Sequence, residues 1–144
     1  MSKKEFISHS EEQTLQIARD LGRSLKGDEI VCLYGDLGAG KTVFAKGLAA
    51  GLGLKDVNQV CSPSFTLMNV YKARVPVYHL DFYRLNSREE IEDLGWEDFM
   101  GEGVIIIEWA EKYDFQDNVI RVRISVLKSE RRRIMVQVSE KAGR

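Results

Sequence analysis

Apolar residues recur along the chain with two different periods, and the switches between them outline alternating helices and strands. Ser10-Glu11-Glu12-Gln13 is a capping-box pattern with Ser10 as N-cap, and Leu15, Ala18, Leu21 and Leu25 then follow at helical spacing, predicting a first helix that ends near Gly27. Residues 29–34 are a nearly continuous apolar run before Gly35, the pattern of a strand buried on both faces of a parallel sheet. Val43, Phe44, Leu48 and Leu52 supply a second helical stripe that stops at Gly53. Residues 66–71 and 77–82 read as strands around a turn at 73–76, and Ser87-Arg88-Glu89-Glu90 is a second capping box, leading a short helix that ends at Gly95. Residues 103–108 form another aliphatic strand of the fully buried type. Near the C-terminus, Val122, Ile124 and Val126 alternate with Arg121, Arg123 and Ser125, while Ile134, Val136 and Val138 alternate with Met135, Gln137 and Ser139. These predict an antiparallel hairpin with one wet face.

The sum is an α/β, three-layer domain on a mixed, partly parallel sheet with an antiparallel C-terminal hairpin. Two prolines and the lack of a linker-like or repetitive stretch make residues 1–144 one continuous domain. A chain of this length buries roughly 70% of its unfolded surface, enough for one core without staples.

Charge and cysteine content narrow the setting. The net charge is -1, from 21 Lys+Arg against 22 Asp+Glu, which argues against coating nucleic acid or an anionic membrane unaided. Cys32 and Cys61 lack the spacing of a zinc site or a disulfide framework and read as small core residues in a reducing compartment. The N-terminus has no signal-like apolar stretch, and Val104-Ile105-Ile106-Ile107, the longest aliphatic run, is far too short to span a membrane. A cytoplasmic protein is expected.

The chemistry starts at Gly35-Asp36-Leu37-Gly38-Ala39-Gly40-Lys41-Thr42, a full match to G-x-x-x-x-G-K-[ST] between a predicted buried strand and a predicted helix. Glycines let successive N–H groups face a phosphate, and the following helix adds its positive N-terminal end. The domain is therefore P-loop NTPase-like, with residues 36–42 as the nucleotide-binding segment, Lys41 on the phosphates and the Thr42 hydroxyl on Mg²⁺.

Such a site needs a carboxylate at the end of a neighbouring strand. Glu108 follows four aliphatics and would arrive at the carboxyl edge of the sheet, where ligands sit in open α/β folds. Asp81 arrives on a less apolar strand whose pattern also fits an antiparallel one. Glu108 is expected on the metal and Asp81 near the γ-phosphate, orienting the attacking water; the plainer readings are a solvated strand end for Glu108 and a salt bridge to Arg84 for Asp81. His79, alone on a strand of aromatics, reads as a packed residue rather than a base. Phe82, Tyr83, Trp96, Phe99 and Trp109 read as core or interface, and Arg131-Arg132-Arg133 in the predicted hairpin turn as a solvated charge run.

At this point the chain resembles a known family, the small bacterial P-loop ATPases of the tRNA threonylcarbamoyladenosine pathway (TsaE). The resemblance rests on five blocks in order: GDLGAGKT at 35–42, SPSFTL at 62–67, YHLDFYRL at 78–85, EEIEDLG at 89–95 and VIIIEWA at 104–110. It implies ATP and Mg²⁺ as ligands, slow hydrolysis by the chain alone, and work with the two-protein threonylcarbamoyl transferase (TsaB and TsaD), with tRNA met indirectly. It also implies Thr42 and Glu108 on the metal, Lys41 on the phosphates and Asp81 near the hydrolytic water. Thr66 would sit near the γ-phosphate in a switch-like segment, Thr14 near the nucleotide, and Arg131 or Arg132 over the adenine side. The chain departs from the family pattern at Ser64, where relatives usually carry threonine, though a hydroxyl is kept.

Two other readings share these motifs. A small P-loop kinase uses the same phosphate logic, but 144 residues leave little room for a second substrate site and lid. A nucleotide-locked binding module, with incidental hydrolysis, is the other.

Overall fold

Two serines start helices in the same way. The Ser10 hydroxyl accepts the Gln13 N–H at 3.1 Å, and that of Ser87 accepts the Glu90 N–H at 3.1 Å. The reciprocal bonds reach one residue further back than in a standard capping box, from His9 N–H to Gln13 and from Asn86 N–H to Glu90.

The computed structural model describes residues 2–36, 38–115 and 118–138. In chain order these form β1 (Ser2–Ser8), α1 (Glu11–Ser24), β2 (Ile30–Tyr34), α2 (Lys41–Gly51), β3 (Met68–Lys72), β4 (Pro76–Asp81), α3 (Arg88–Asp93), β5 (Val104–Glu108), β6 (Val119–Val126) and β7 (Arg132–Val138). Short 3₁₀ turns lie at Val57–Gln59, Trp96–Phe99 and Ala110–Lys112. The seven strands make one mixed sheet in the order β1-β7-β6-β2-β5-β4-β3. β6, β2, β5 and β4 run parallel in its centre, and β1, β7 and β3 pair antiparallel at the two sides. This is the expected α/β architecture. Among the described residues, no helix is long and apolar enough to cross a membrane.

The central strands carry side chains to two cores. Val31, Leu33, Ile106 and Val122 pack with Ala18 of α1, Phe44 and Leu48 of α2 and Leu52 just after it on one face. On the other, Cys32, Ile105, Ile107 and Leu80 pack with Phe82, Ile91, Trp96 and Phe115. The two helices meet almost backbone to backbone: a Cβ on Gly51 would lie 2.2 Å from the Arg19 carbonyl oxygen, and one on Gly22 would lie 2.4 Å from that of Leu48. This contact holds α2, and with it the glycine-rich turn that precedes it, against α1.

Several boundaries differ from the sequence expectation. β1 carries no apolar alternation, because it is an edge strand whose Lys and Glu side chains stay in solvent while Ser8 is buried and Phe6 packs on the core. α1 stops at Ser24 rather than near Gly27, where Leu25 turns extended. β3 starts at Met68, not at Thr66, because Leu67 takes a φ of 69° and its N–H bonds Pro63 O at 2.7 Å, closing residues 62–67 into a turn. β4 is antiparallel to β3 but parallel to β5. Arg132 and Arg133 belong to β7 rather than the hairpin turn. Cys32 is buried as expected, whereas Cys61 is exposed.

Candidate functional site

β2 is buried along its whole length and delivers the chain to the glycine-rich turn at the carboxyl edge of the sheet. Leu37 lies outside the described residues. Gly40 caps α2 with a φ of 111°, a conformation that an L side chain rarely adopts. No side chain caps α2 and no acidic residue occupies its first turn. Its N–H groups and positive end thus face the turn uncompensated, the arrangement that suits an anion.

Lys41, only 5% exposed, folds back over this turn. Its Nζ donates to Gly35 O and, at 3.1 Å, to Asp36 O, and lies 3.8 Å from the centre of the Trp109 ring. Burial holds its pKa below the usual lysine value of 10.5, against the opposing pull of Glu111, Glu108, Asp81 and Asp36. Trp109 itself has a φ of 58°, unusual for a bulky residue, which turns the chain sharply after Glu108.

The carboxyl ends of β4 and β5 bring two carboxylates to one level, since Asp81 pairs with Glu108 in the strand register. Thr42 Oγ1 donates towards Glu108, 3.1 Å from Oε1 and 3.2 Å from Oε2. Asp81 is fixed by the Ser62 hydroxyl, which donates to Oδ2 at 2.6 Å, and by the Tyr83 N–H, which donates to Oδ1 at 2.8 Å. Arg84, considered in the sequence as a partner for Asp81, instead lies over the Phe65 ring at 4.3 Å.

These groups line a cleft of about 470 Å³ that holds Lys41, Thr42, Ser62, Asp81, Glu108 and Trp109, with Ser64, Tyr83 and Arg84 at its wall. A smaller cavity of about 160 Å³ shares Gly38, Gly40 and Val43 with the cleft and adds Glu11, Thr14, Ala39, Glu130 and Arg132. Thr14 is buried there, sharing a 2.7 Å hydrogen bond with the Ser8 hydroxyl. Arg132 Nε donates to Ala39 O at 3.0 Å, tying the C-terminal hairpin to the glycine-rich turn.

The structure therefore assembles Lys41, Thr42, Asp81 and Glu108 in one cleft and sets Thr14 and Arg132 beside it. It does not bring Thr66 or Arg131 in. Thr66 is exposed and bonds Asn69, because the turn at Leu67 aims Ser62 and Ser64 at the cleft instead. Arg131 is exposed in the hairpin turn, one residue before the strand position that points to the glycines. Asp36 is also exposed and contributes its carbonyl, to Lys41 and to the Ala39 N–H. Sequence reasoning missed Ser62 and Arg84 as lining residues and read His79 as packed, which its burial bears out, without its contact to Glu108. The first two were quoted in motif blocks but given no place in the site. His79 is fully buried with Nε2 2.7 Å from Glu108 Oε2, a contact across strands that no spacing along the chain reveals.

The donor set tests which metal fits. Oxygen ligands from a hydroxyl and one or two carboxylates suit a hard cation such as Mg²⁺, which is usually held by few protein groups together with substrate phosphates and water. Among the described residues, no group of three or more His, Cys, Asp and Glu side chains is placed to hold a metal by protein ligands alone.

Comparison with known proteins gives one consistent picture. A family model described as threonylcarbamoyl adenosine biosynthesis protein TsaE matches residues 8–134. The tRNA threonylcarbamoyladenosine biosynthesis protein TsaE of Aquifex aeolicus is 40% identical over 122 residues, covering 84% of this chain and 87% of its own. Its namesake from Bacillus subtilis is 42% identical over 117 residues, covering 80% and 72%. The crystal structure of Bacillus subtilis YdiB superposes with a TM-score of 0.73 at 27% identity, covering 96% of this chain and 87% of that one.

Proposed function

The chain belongs to the TsaE family of threonylcarbamoyl adenosine biosynthesis proteins, and from that membership and the cleft's geometry we propose that it is an Mg²⁺-dependent ATPase serving threonylcarbamoyladenosine modification of tRNA. The observation that carries the reading is the meeting of the Thr42 hydroxyl with the Glu108 carboxylate beneath an uncompensated helix N-terminus.

In this reading the backbone N–H groups of residues 38–42 hold the phosphates, and Lys41 leaves the carbonyls of Gly35 and Asp36 to neutralise them. Thr42 and Glu108 would hold Mg²⁺, which when bound would draw charge from the phosphate oxygens. Asp81, held in place by Ser62 and the Tyr83 N–H, orients the water that attacks the γ-phosphorus as the bond to the ADP oxygen breaks. Thr14 and Arg132 bound the cavity behind the glycines, where the nucleoside end fits.

Turnover by the chain alone is slow, and the two-protein threonylcarbamoyl transferase (TsaB and TsaD) completes the site. Support comes from the rim of the cleft, where Tyr83 is 47% exposed and Phe65, beneath Arg84, is 81% exposed, an apolar face suited to a protein cover. The net charge of -1 supports contact with tRNA through that partner rather than directly. Free cysteines support a reducing, cytoplasmic setting.

The test is a reconstituted modification assay with the transferase pair, tRNA and ATP, run over many turnovers. Sustained modification should require the wild-type chain and cease with Glu108→Ala. Undiminished modification with Glu108→Ala would make hydrolysis dispensable, and transfer of phosphate to a small acceptor would replace the ATPase with a kinase.

A further inference from the structure

Glu108 is held from behind by a row of polar groups that the proposed chemistry leaves unused. Tyr71 on β3, His79 on β4 and Glu108 on β5 are 3%, 0% and 3% exposed. Burying three polar side chains end to end is costly unless each is paired. Here each is: the Tyr71 hydroxyl lies 2.9 Å from His79 Nδ1, and His79 Nε2 lies 2.7 Å from Glu108 Oε2.

The hydrogens follow from the partners. A carboxylate oxygen at 2.7 Å from Nε2 requires the hydrogen on Nε2. The Tyr71 hydroxyl, 2.9 Å from Nδ1 and 3.4 Å from Cys61 O, holds the far nitrogen of the ring from the β3 side. Tyr71 thereby fixes the ring orientation in which His79 donates to Glu108. Thr42 Oγ1 lies 3.1 Å from Oε1 and 3.2 Å from Oε2, so Oε1 is the oxygen beside Thr42 that His79 leaves unbonded.

Resting on the Mg²⁺-ATP reading above, we propose that His79 is a positioning residue for the metal site. Its Nε2–H holds Oε2 and so fixes the Glu108 carboxylate beside Thr42 with Oε1 free of His79, and Tyr71 holds the donor ring in place. Hydrogen-bond partners of metal-binding groups typically contribute 10–100-fold to metal affinity. The effect expected here is on metal binding and not on the nucleotide by itself.

Mn²⁺ is the probe, with free ion read from its paramagnetic resonance signal in titrations of the full chain with ADP. ADP binding in EDTA is measured in parallel. Wild type is expected to hold Mn²⁺ with ADP, His79→Leu to weaken Mn²⁺ by about 10-fold or more, and ADP binding in EDTA to change less than about twofold. His79→Gln, which can restore an N–H towards Oε2, should recover much of the loss. If thermal melting shows that His79→Leu does not fold, Tyr71→Phe decides in its place. Mn²⁺ affinity within about twofold of wild type in the deciding variant overturns the proposal, as does an equal loss of metal-free ADP binding. Failure of wild type to hold Mn²⁺ with ADP would instead overturn the Mg²⁺-ATP reading itself.

Discussion

The hydroxyl of Thr42, in the first turn of α2, lies 3.1 Å from Oε1 of Glu108, at the carboxyl end of β5. Two residues 66 positions apart are thereby one site. Thr42→Val keeps the shape of the side chain and removes its oxygen. It should weaken ADP binding in Mg²⁺ by about 10-fold while leaving binding in EDTA near wild type. Isothermal titration with and without Mg²⁺ checks this, and an affinity in Mg²⁺ equal to that of wild type would remove Thr42 from the metal site.

Arg84 is the cationic side chain at the cleft wall whose contact is an exposed ring rather than a carboxylate. If it reaches the transferring phosphate, Arg84→Ala lowers the turnover number by at least about 10-fold with little change in KM, since loss of a single transition-state donor often costs 10²–10³. Steady-state phosphate release measures both parameters. An unchanged turnover number would leave charge neutralisation to Lys41 and a partner.

The close approach of α1 and α2 sets a strict size limit. Gly51→Ala forces its new methyl group to within 2.2 Å of the Arg19 carbonyl, a backbone atom that yields only if the helices part. Destabilisation of about 1–3 kcal/mol or more is expected in urea unfolding. A midpoint equal to that of wild type would show that the helices separate without cost.

Thiol chemistry separates the two cysteines. Burial pushes the Cys32 thiol up from 9.0 to about 12, whereas Cys61 is exposed. At pH 8 a thiol reagent should label one cysteine in the folded chain and a second only on unfolding. Above pH 9 the unfolded chain releases the Cys32 proton while the folded chain keeps it, so stability falls as pH rises from 9 towards about 12. Cys32→Ala should flatten that decline; an equally steep fall in the variant would assign it to other groups.

Legibility in the sequence followed how local each signal was. The glycine-rich turn could be read because its residues are contiguous, and Glu108 because a fully apolar strand ending in one carboxylate leaves few alternatives. β1 was invisible since an edge strand needs only Phe6 and Ser8 inward and carries Lys and Glu outward. The choice of Ser62 and Ser64 over Thr66 turned on a single backbone angle at Leu67, which the residue type does not announce. The pairing of His79 with Glu108 depends on the parallel alignment of β4 with β5, and that alignment emerges only once the sheet is assembled.

The most direct test is phosphate release from ATP by wild type and Glu108→Ala across a Mg²⁺ titration, with melting curves confirming that the variant folds. Wild type should release phosphate slowly, rise with Mg²⁺ and fall to background in EDTA, while Glu108→Ala stays at background at every Mg²⁺ concentration. Mg²⁺-dependent release by folded Glu108→Ala at the wild-type rate would contradict the assignment of the cleft as the ATPase site.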